Sequence, residues 1–390
     1  MLCLQTSLLI SLSSLTVFLA QLGMMMYLPA LPSIALSLNT TQNLASLSLP
    51  TYLVGMAMPM LLWGKWGKWG AAWGIKPVLI ASLLIFSLTN ALLAACVQIE
   101  TFLSLRFLQG LAASGMSVMA RSLVAQHFKG NQVAKALSWL SIAFVISLGV
   151  GQYAGAILMS TFGWPATFWC LAIGATLQAG CVYRWLSGAR QASSTPVCWR
   201  HYLTIFRHAP FLRPTLIGGL GYGIIIGFNT AAPSVFQTTY EWSVSEYGAL
   251  GWAMSLAYVL GSLIVNRYVL IRGQSQLSAI ATSIMVAGSV VMVLGVIANT
   301  TFAALLWVPY CLIVLGQAIS YPISLSTASA HSPVKGPYSM ALCGLIHQLV
   351  AAFVGVTVSL LSVQNPLYLA TLCLLMTVLV RVLNITQPNS

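Results

Sequence analysis

Side chains that can carry a charge or move a proton are rare in this sequence of 390 residues. It contains no Asp, and its three Glu residues are Glu100, Glu241 and Glu246. Two ionisable side chains, Arg106 and His347, lie instead within long apolar stretches. An arginine in an apolar environment is costly and therefore indicates a functional site. An imidazole, whose ordinary pKa is about 6.5, exchanges protons near neutral pH and is suited to a proton relay.

Both residues also have a structural interpretation. Arg106 either anchors or gates a substrate, or it ties its helix to backbone carbonyl groups of a neighbouring helix. His347, which precedes Gln348, is either a proton relay or a neutral histidine hydrogen-bonded between helices. The eight Cys residues are scattered without a CxxC pair, so the sequence predicts neither a metal site nor a disulfide. We expect no cofactor, and without a GxxxxGK[ST] or HExxH motif or an Asp for a catalytic triad we expect no enzyme.

The composition determines which elements must hold these residues. Apolar residues make up 59% of the chain and charged residues 5%, whereas ordinary soluble proteins contain about 25% charged residues. This composition excludes soluble, disordered, fibrous and disulfide-framework proteins, and it predicts an all-α membrane protein. A helix needs about 20 apolar residues to cross a membrane. Twelve segments meet this condition, at 7–37, 43–64, 76–97, 101–127, 133–160, 164–187, 210–237, 244–270, 275–298, 301–328, 337–362 and 366–387.

The connections between these twelve predicted spans divide the chain in two. Outer connections such as 39–42 and 299–300 are very short, whereas the connection after the sixth span is long, polar and basic. We therefore predict an N-terminal six-helix half at 1–187, a basic linker at 188–209 and a C-terminal six-helix half at 210–390.

The basic residues predict the orientation of the chain. In the twelve-span arrangement every basic residue except Arg106 lies on one side, including Lys129, Arg190 and Lys335, and all three Glu residues lie on the other. Because basic residues concentrate in cytoplasmic loops, both termini and the linker are predicted to be cytoplasmic, in a bacterial inner membrane. The net charge of +13 then reflects topology and not binding to nucleic acid.

Four short motifs are associated with the first, fourth, sixth and seventh predicted spans. They are YLPALP at 27–32, RFLQG at 106–110, GWPATF at 163–168 and APSVFQ at 232–237. The second resembles the RxxQG motif of the major facilitator superfamily. The other three resemble motifs of the bicyclomycin-resistance-type (Bcr/CflA) drug exporters within that superfamily, and the similarity runs over most of the chain.

The resemblance implies two pseudo-symmetric six-helix halves around a central cavity, with a substrate site near the membrane midplane. In this superfamily, spans 1, 4, 7 and 10 line the cavity. Polar residues on those spans are therefore the predicted substrate-binding residues: Gln21, Tyr27, Arg106, Gln109, Asn229, Gln317 and Tyr321. His347 on span 11 is the predicted proton relay.

The segment at 67–77 resembles the gating loop that the superfamily has between spans 2 and 3. The family motif there is GxLxDRxGRR. This segment keeps glycines and a basic residue, at Gly67, Gly74 and Lys76, but Ala71 stands at the acidic position of the motif. The resemblance implies a gating role for Gly67, Gly74 and Lys76, without the acid that locks this loop through charge contacts in the family.

Other departures from the family concern proton coupling. The antiporter motif of span 5 is reduced to part of its glycine pattern at 151–156, and Met25 stands where these exporters have an Asp before YLPALP. Buried carboxylates usually supply the group that titrates near neutral pH, and every Glu here lies at an outer loop or helix end. Three options remain: a facilitator, coupling through a histidine, or a substrate that carries its own proton or charge.

The sequence favours a transporter that moves a small organic solute by alternating access, of the multidrug or metabolite efflux type. A cavity with one arginine and no acid is expected to favour anionic or zwitterionic substrates. An alternative is therefore a transporter, or even an importer, of a carboxylate-rich metabolite or siderophore. A membrane-embedded sensor is an alternative of another class. We expect contact with membrane lipid, no nucleic-acid partner and a monomer.

Overall fold

The computed structural model describes residues 2–128, 131–186, 199–299, 301–334, 337–361 and 365–385. These residues form helices and their connections, with no β-strand among them. The helices before the predicted linker are α1 (Leu2–Met25), α2 (Leu31–Ser37), α3 (Gln42–Ser46), α4 (Ser48–Trp73), α5 (Ile75–Ala94), α6 (Ile99–His127), α7 (Asn131–Phe162) and α8 (Pro165–Trp185). The helices that follow are α9 (Trp199–Phe206), α10 (Ala209–Ser234), α11 (Val244–Ala298), α12 (Ala304–Ala330), α13 (Pro337–Leu360) and α14 (Pro366–Ile385).

The first predicted span, 7–37, is interrupted at the YLPALP motif. After α1 ends, a 3₁₀ turn covers Leu28–Ala30 and α2 follows directly. Pro29 and Pro32 lie in the first two positions of the 3₁₀ turn and of α2, where the missing N–H would have no partner within the helix. The motif therefore interrupts the α-helix next to Tyr27, whose side chain is buried.

The connection between the second and third predicted spans is much shorter than the predicted gating loop. α4 continues as far as Trp73, so Gly67 lies within a helix. Only Gly74 separates α4 from α5, with a φ of 81° that glycine adopts without the steric cost of a Cβ. The prediction of a loop at 67–77 is wrong. In a membrane, extending a helix gives each added backbone N–H and C=O group a hydrogen-bond partner within the helix. The free energy of these hydrogen bonds outweighs the low helix propensity of the glycines.

The predicted spans at 244–270 and 275–298 form one continuous element, α11. Its backbone is helical except at Gly273, where φ is 75° and ψ is 162°, so a one-residue bend replaces the predicted connection. Nine segments among the described residues are long and apolar enough to cross a membrane. Counting α11 as two and adding the long helices α4 and α6 makes the structure consistent with twelve spans. The fold is that of an all-α membrane protein.

The chain forms two compact units. The first comprises Met1–Thr40 and Thr51–Val197, and the second comprises Thr41–Pro50 and Cys198–Ser390. The segment Thr41–Pro50, which lies within the predicted N-terminal half, packs with the second unit. There Ser46 Oγ donates a hydrogen bond to Ser359 Oγ (2.7 Å). A short helix, α9, lies within the predicted linker at 188–209.

The core of the second unit is built around aromatic side chains of α10, α11, α12 and the turn that follows α10. Phe228 stacks on Tyr310 with their ring centroids 3.5 Å apart, and Phe236 packs on Tyr247 at 5.9 Å. All four side chains are buried. Of the basic residues that carried the topology prediction, Lys129, Arg190 and Lys335 lie outside the described residues.

Candidate functional site

Arg106 is at the centre of a buried hydrogen-bonded group in the first unit. Its Nη1 donates to the carbonyl oxygen of Gly23 on α1 (2.8 Å) and to Oε1 of Gln109, one turn further along α6. Gln109 Nε2 donates to Oδ1 of Asn90 on α5 (2.8 Å), and Asn90 Nδ2 donates to the carbonyl oxygen of Phe86 (2.7 Å). Through these side chains the group links α1, α5 and α6.

Two tyrosines cover the guanidinium group of Arg106. Its Cζ lies 4.0 Å from the ring centroid of Tyr27 and 4.7 Å from that of Tyr52. The Tyr52 hydroxyl donates to the carbonyl oxygen of Ala20 (2.7 Å), and the Tyr27 ring packs on Phe168 at 5.9 Å. A desolvated cation–π contact contributes roughly 2 kcal/mol, so the two rings offset part of the cost of burying a charge that has no carboxylate beside it.

This environment bears on the two interpretations of Arg106. The side chain is 0% exposed, and the contacts described above are all with groups of the protein itself. Gly23 makes room for them, because a Cβ at this position would lie 2.7 Å from the Phe86 ring and 3.4 Å from Gln109 Nε2. A substrate can reach Arg106 only if these contacts open.

His347 is at the centre of a second polar group, in the second unit. It is 1% exposed. Its Nδ1 lies 3.3 Å from the hydroxyl oxygen of Tyr321 on α12, and its Nε2 lies 3.4 Å from Sγ of Cys343, one turn earlier on α13. A phenol and a thiol therefore flank the imidazole, one near each ring nitrogen. Within the described residues no group of three or more His, Cys, Asp or Glu side chains is arranged to hold a metal ion.

Glycines of α10 face this second group. A Cβ at Gly218 would lie 2.9 Å from His347 Nε2, and a Cβ at Gly221 would lie 3.0 Å from Gln317 Nε2 and would overlap Oε1 of the same side chain. The histidine and the glutamine therefore occupy space that any larger residue on α10 would fill. This packing explains why a glycine-rich helix lies beside the polar residues of α12 and α13.

Two of the predicted substrate-binding residues carry buried amide oxygens without a hydrogen-bond partner among the described residues. They are Gln21 on α1 and Gln317 on α12, which is 2% exposed. Ser320 Oγ, one turn from Gln317, is also buried without a hydrogen-bond partner among the described residues. An unsatisfied buried polar group costs about 1–3 kcal/mol, and such groups usually bind water or a ligand. These atoms are therefore candidates for ligand contact.

The other predicted site residues lie apart from both groups. Asn229 is buried and its Nδ2 donates to the carbonyl oxygen of Ile225 in its own helix (2.8 Å). Lys76 Nζ donates to the carbonyl oxygen of Tyr183 on α8 (2.8 Å) and lies 5.3 Å from the centroid of its ring. Lys76 thus ties α5 to α8 in the first unit, and Gly74 forms the break before it.

The three glutamates lie at helix ends or in connections. Glu100 is in the first turn of α6, and Glu241 lies in the connection before α11 with a φ of 55°. Glu246 caps α11: its Oε2 accepts hydrogen bonds from the backbone N and from Oγ of Ser243, each at 2.7 Å. Acidic groups are favourable at helix N-termini, so the positions of Glu100 and Glu246 have a structural explanation. None of the three glutamates is in the interior of a span.

Sequence reasoning missed three residues of these groups. Asn90 had a signal, because an amide in the middle of an apolar span is expected to find a polar partner. Cys343 also had one, because residues four apart on a helix share a face and His347 follows it by four. Tyr52 had none, because its position over Arg106 depends on how closely α4 approaches α6.

Comparisons with known proteins give a consistent result. Residues 13–356 match the family model of the Major Facilitator Superfamily. The chain is 22% identical over 285 residues to a bicyclomycin resistance protein homolog of Haemophilus influenzae, which covers 72% of this chain and 71% of that protein. It is 24% identical over 328 residues to the chloramphenicol resistance protein CraA of Acinetobacter baumannii, covering 82% of this chain and 77% of that protein. Among solved structures, a D-xylose-proton symporter has a TM-score of 0.80 at 14% identity over 98% of both chains.

Proposed function

Given that this chain belongs to the major facilitator superfamily of membrane transporters, we propose that it exports small, uncharged or zwitterionic organic molecules from a bacterial cell by alternating access. Relatives named for resistance to bicyclomycin and chloramphenicol support export as the direction of transport. The observation that carries the choice of substrate charge is the enclosure of Arg106 between two hydrogen-bond acceptors and two aromatic rings.

The enclosure of Arg106 argues against a strongly anionic substrate. A substrate carboxylate would have to reach a side chain with no exposed surface, whose Nη1 already donates to the Gly23 carbonyl oxygen and to the Gln109 amide oxygen. A cationic substrate finds no carboxylate in the interior of a span either. The alternative of a carboxylate-rich metabolite or siderophore depended on an arginine accessible from the cavity, and the enclosure of Arg106 removes that support.

Gln21 and Gln317 are the residues that we assign to substrate contact. Each carries a buried amide oxygen without a partner among the described residues. An amide both donates and accepts hydrogen bonds, which suits the uncharged polar groups of a drug-like molecule. We assign Arg106, Gln109 and Tyr27 to holding α1, α5 and α6 together, and not to direct contact with substrate.

For coupling we propose a relay through His347. The proposal is supported by the position of His347 within α13, where its ring nitrogens lie near the hydroxyl group of Tyr321 and the thiol of Cys343. A histidine relay needs no carboxylate, which fits a chain whose glutamates all lie at helix ends or in connections.

Transport assays with two matched glutamine variants test the proposal. Cells that lack their own efflux pumps and express the wild type should accumulate less chloramphenicol, and a polycarboxylate should not be transported. Gln317→Leu should weaken the apparent affinity about tenfold, the equivalent of roughly 1.4 kcal/mol, with normal yield. Gln109 is the control, because both of its amide atoms are bonded within the protein: Oε1 accepts from Arg106 Nη1 and Nε2 donates to Asn90 Oδ1.

The control variant, Gln109→Leu, should lower protein yield and leave the affinity unchanged. Transport of the polycarboxylate without transport of chloramphenicol would overturn the proposed substrate class. Equal affinities for wild type and Gln317→Leu would remove Gln317 from the substrate site.

A further inference from the structure

The short helix α9 has two chemically different faces. Tyr202 and Ile205 are buried against the second unit. The opposite side exposes Arg200, Leu203 and Phe206, and Arg207 extends it because its backbone N donates to the Leu203 carbonyl oxygen (3.1 Å). The exposed side therefore combines two large apolar side chains with two arginines, and its sequence contains no acidic residue.

The attachment of α9 fixes it at the membrane boundary. The helix ends at Phe206, and α10, one of the membrane-length segments, begins at Ala209. Three residue steps span at most about 11 Å, so α9 cannot leave the end of this span. Its inner face docks on the start of a second span through Tyr338 of α13, whose ring centroid lies 5.1 Å from that of His201 and 5.3 Å from that of Tyr202.

The exposed apolar side chains fit the hydrocarbon edge of a bilayer. Leu203 is 51% exposed and Phe206 is 52% exposed, and they lie three residues apart on adjoining turns of the helix. Helices that lie in the membrane interface place apolar residues towards the acyl chains and basic residues towards the headgroups. Aqueous exposure of both side chains would be unfavourable, whereas contact with acyl chains buries their apolar surface.

The two arginines supply the charge that an anionic headgroup requires. Arg200 and Arg207 are seven residues apart, which places them on the same face at about 10 Å along the helix axis. Both are exposed, and neither guanidinium group has a hydrogen-bond or ion-pair partner among the described residues. A basic residue near the surface of an anionic membrane contributes roughly 1 kcal/mol of attraction.

We propose that α9 is a binding site for an anionic phospholipid, with Arg200 and Arg207 holding the phosphate headgroup and Leu203 and Phe206 contacting the acyl chains. The occupant is a lipid and not a free phosphate, because the apolar side chains adjoin the arginines on the same exposed surface. The site does not depend on which molecule the protein transports.

Native mass spectrometry of the full chain with phosphatidylglycerol or phosphatidylcholine of identical acyl chains tests this site. The variant Arg200→Gln/Arg207→Gln should bind phosphatidylglycerol about thirtyfold more weakly, which corresponds to roughly 1 kcal/mol for each arginine. Binding of phosphatidylcholine should not change. The matched control is Arg267→Gln/Arg272→Gln, which removes two exposed arginines of α11 and should lower the phosphatidylglycerol affinity by a much smaller factor.

Two further experiments test whether charge alone is needed, whether α9 stays folded after substitution, and whether the ligand is a lipid or free phosphate. Arg200→Lys/Arg207→Lys keeps the charge and should retain most of the binding, which also shows that α9 tolerates substitution. Excess inorganic phosphate should leave phosphatidylglycerol bound. Wild-type affinity in Arg200→Gln/Arg207→Gln, an equal loss in the α11 control, or displacement by inorganic phosphate would each overturn the lipid site.

Discussion

Gly110 of α6 lies directly against the backbone of Tyr52 in α4, and a Cβ at Gly110 would overlap the Tyr52 carbonyl oxygen. The contact is reciprocal, because a Cβ at Gly55 would overlap the carbonyl oxygen of Phe107. Small residues allow membrane helices to approach at their backbones. The glycine that ends the RFLQG motif therefore has a packing role: the close approach of α4 brings the Tyr52 ring over the guanidinium group of the same motif.

Gly110→Ala is expected to destabilise the protein. The added methyl group meets backbone, which no side-chain rotation can relieve, so α4 must move away at a cost of about 1–3 kcal/mol. We expect a lower midpoint for thermal loss of the monodisperse peak in detergent. The control is Gly180→Ala on α8, where a Cβ meets no atom within 4 Å and stability should stay the same or rise slightly. Equal stability of the two variants would contradict the packing role.

Arg106→Gln is expected to act on stability and not on substrate affinity. The shorter neutral side chain leaves the Gly23 carbonyl oxygen without its donor, which costs about 1–3 kcal/mol, and it removes the cation from between two tyrosine rings. Thermal stability should fall while KM of the remaining folded protein stays close to wild type. Arg121→Gln, an exposed position on the same helix, should change neither. A raised KM in a fully stable Arg106→Gln protein would instead support a substrate anchor.

His347→Gln should separate coupling from transport. Glutamine can still form a hydrogen bond near Tyr321 but cannot carry a proton at neutral pH. In proteoliposomes a pH gradient should accelerate transport by the wild type and not by the variant, while exchange without a gradient persists in both. His331→Gln, at an exposed position after α12, should keep the gradient effect. Acceleration that survives in His347→Gln would rule out the histidine relay, and no acceleration in the wild type would indicate a facilitator.

Topology reporters test the predicted orientation. A fluorescent protein fused after Ser390 should fluoresce, because both termini are predicted to be cytoplasmic. A protease site inserted within 191–198 should be cleaved only from the cytoplasmic side. A periplasmic result at either position would contradict the predicted arrangement of two six-helix halves.

The boundaries of elements show where sequence patterns mislead. Glycines at 67–74 predicted a loop, yet Gly67 is helical and only Gly74 breaks the chain between α4 and α5. Likewise the polar stretch around Gly273 predicted a connection, and the structure has a bend of one residue inside α11. In both cases the backbone hydrogen bonds of the neighbouring helices outweigh local propensity.

The sequence by itself determined the class of the protein, because so few charges and so many long apolar runs leave only membrane helices as a stable solution. It also singled out Arg106 and His347, since an ionisable group in an apolar run is rare and costly. Only the tertiary structure decided what these residues contact. The Gly23 carbonyl, the Tyr52 ring and Asn90 come from three different helices. Helix rotation and packing distance, which no local pattern encodes, bring the first two to Arg106 and bring Asn90 to Gln109.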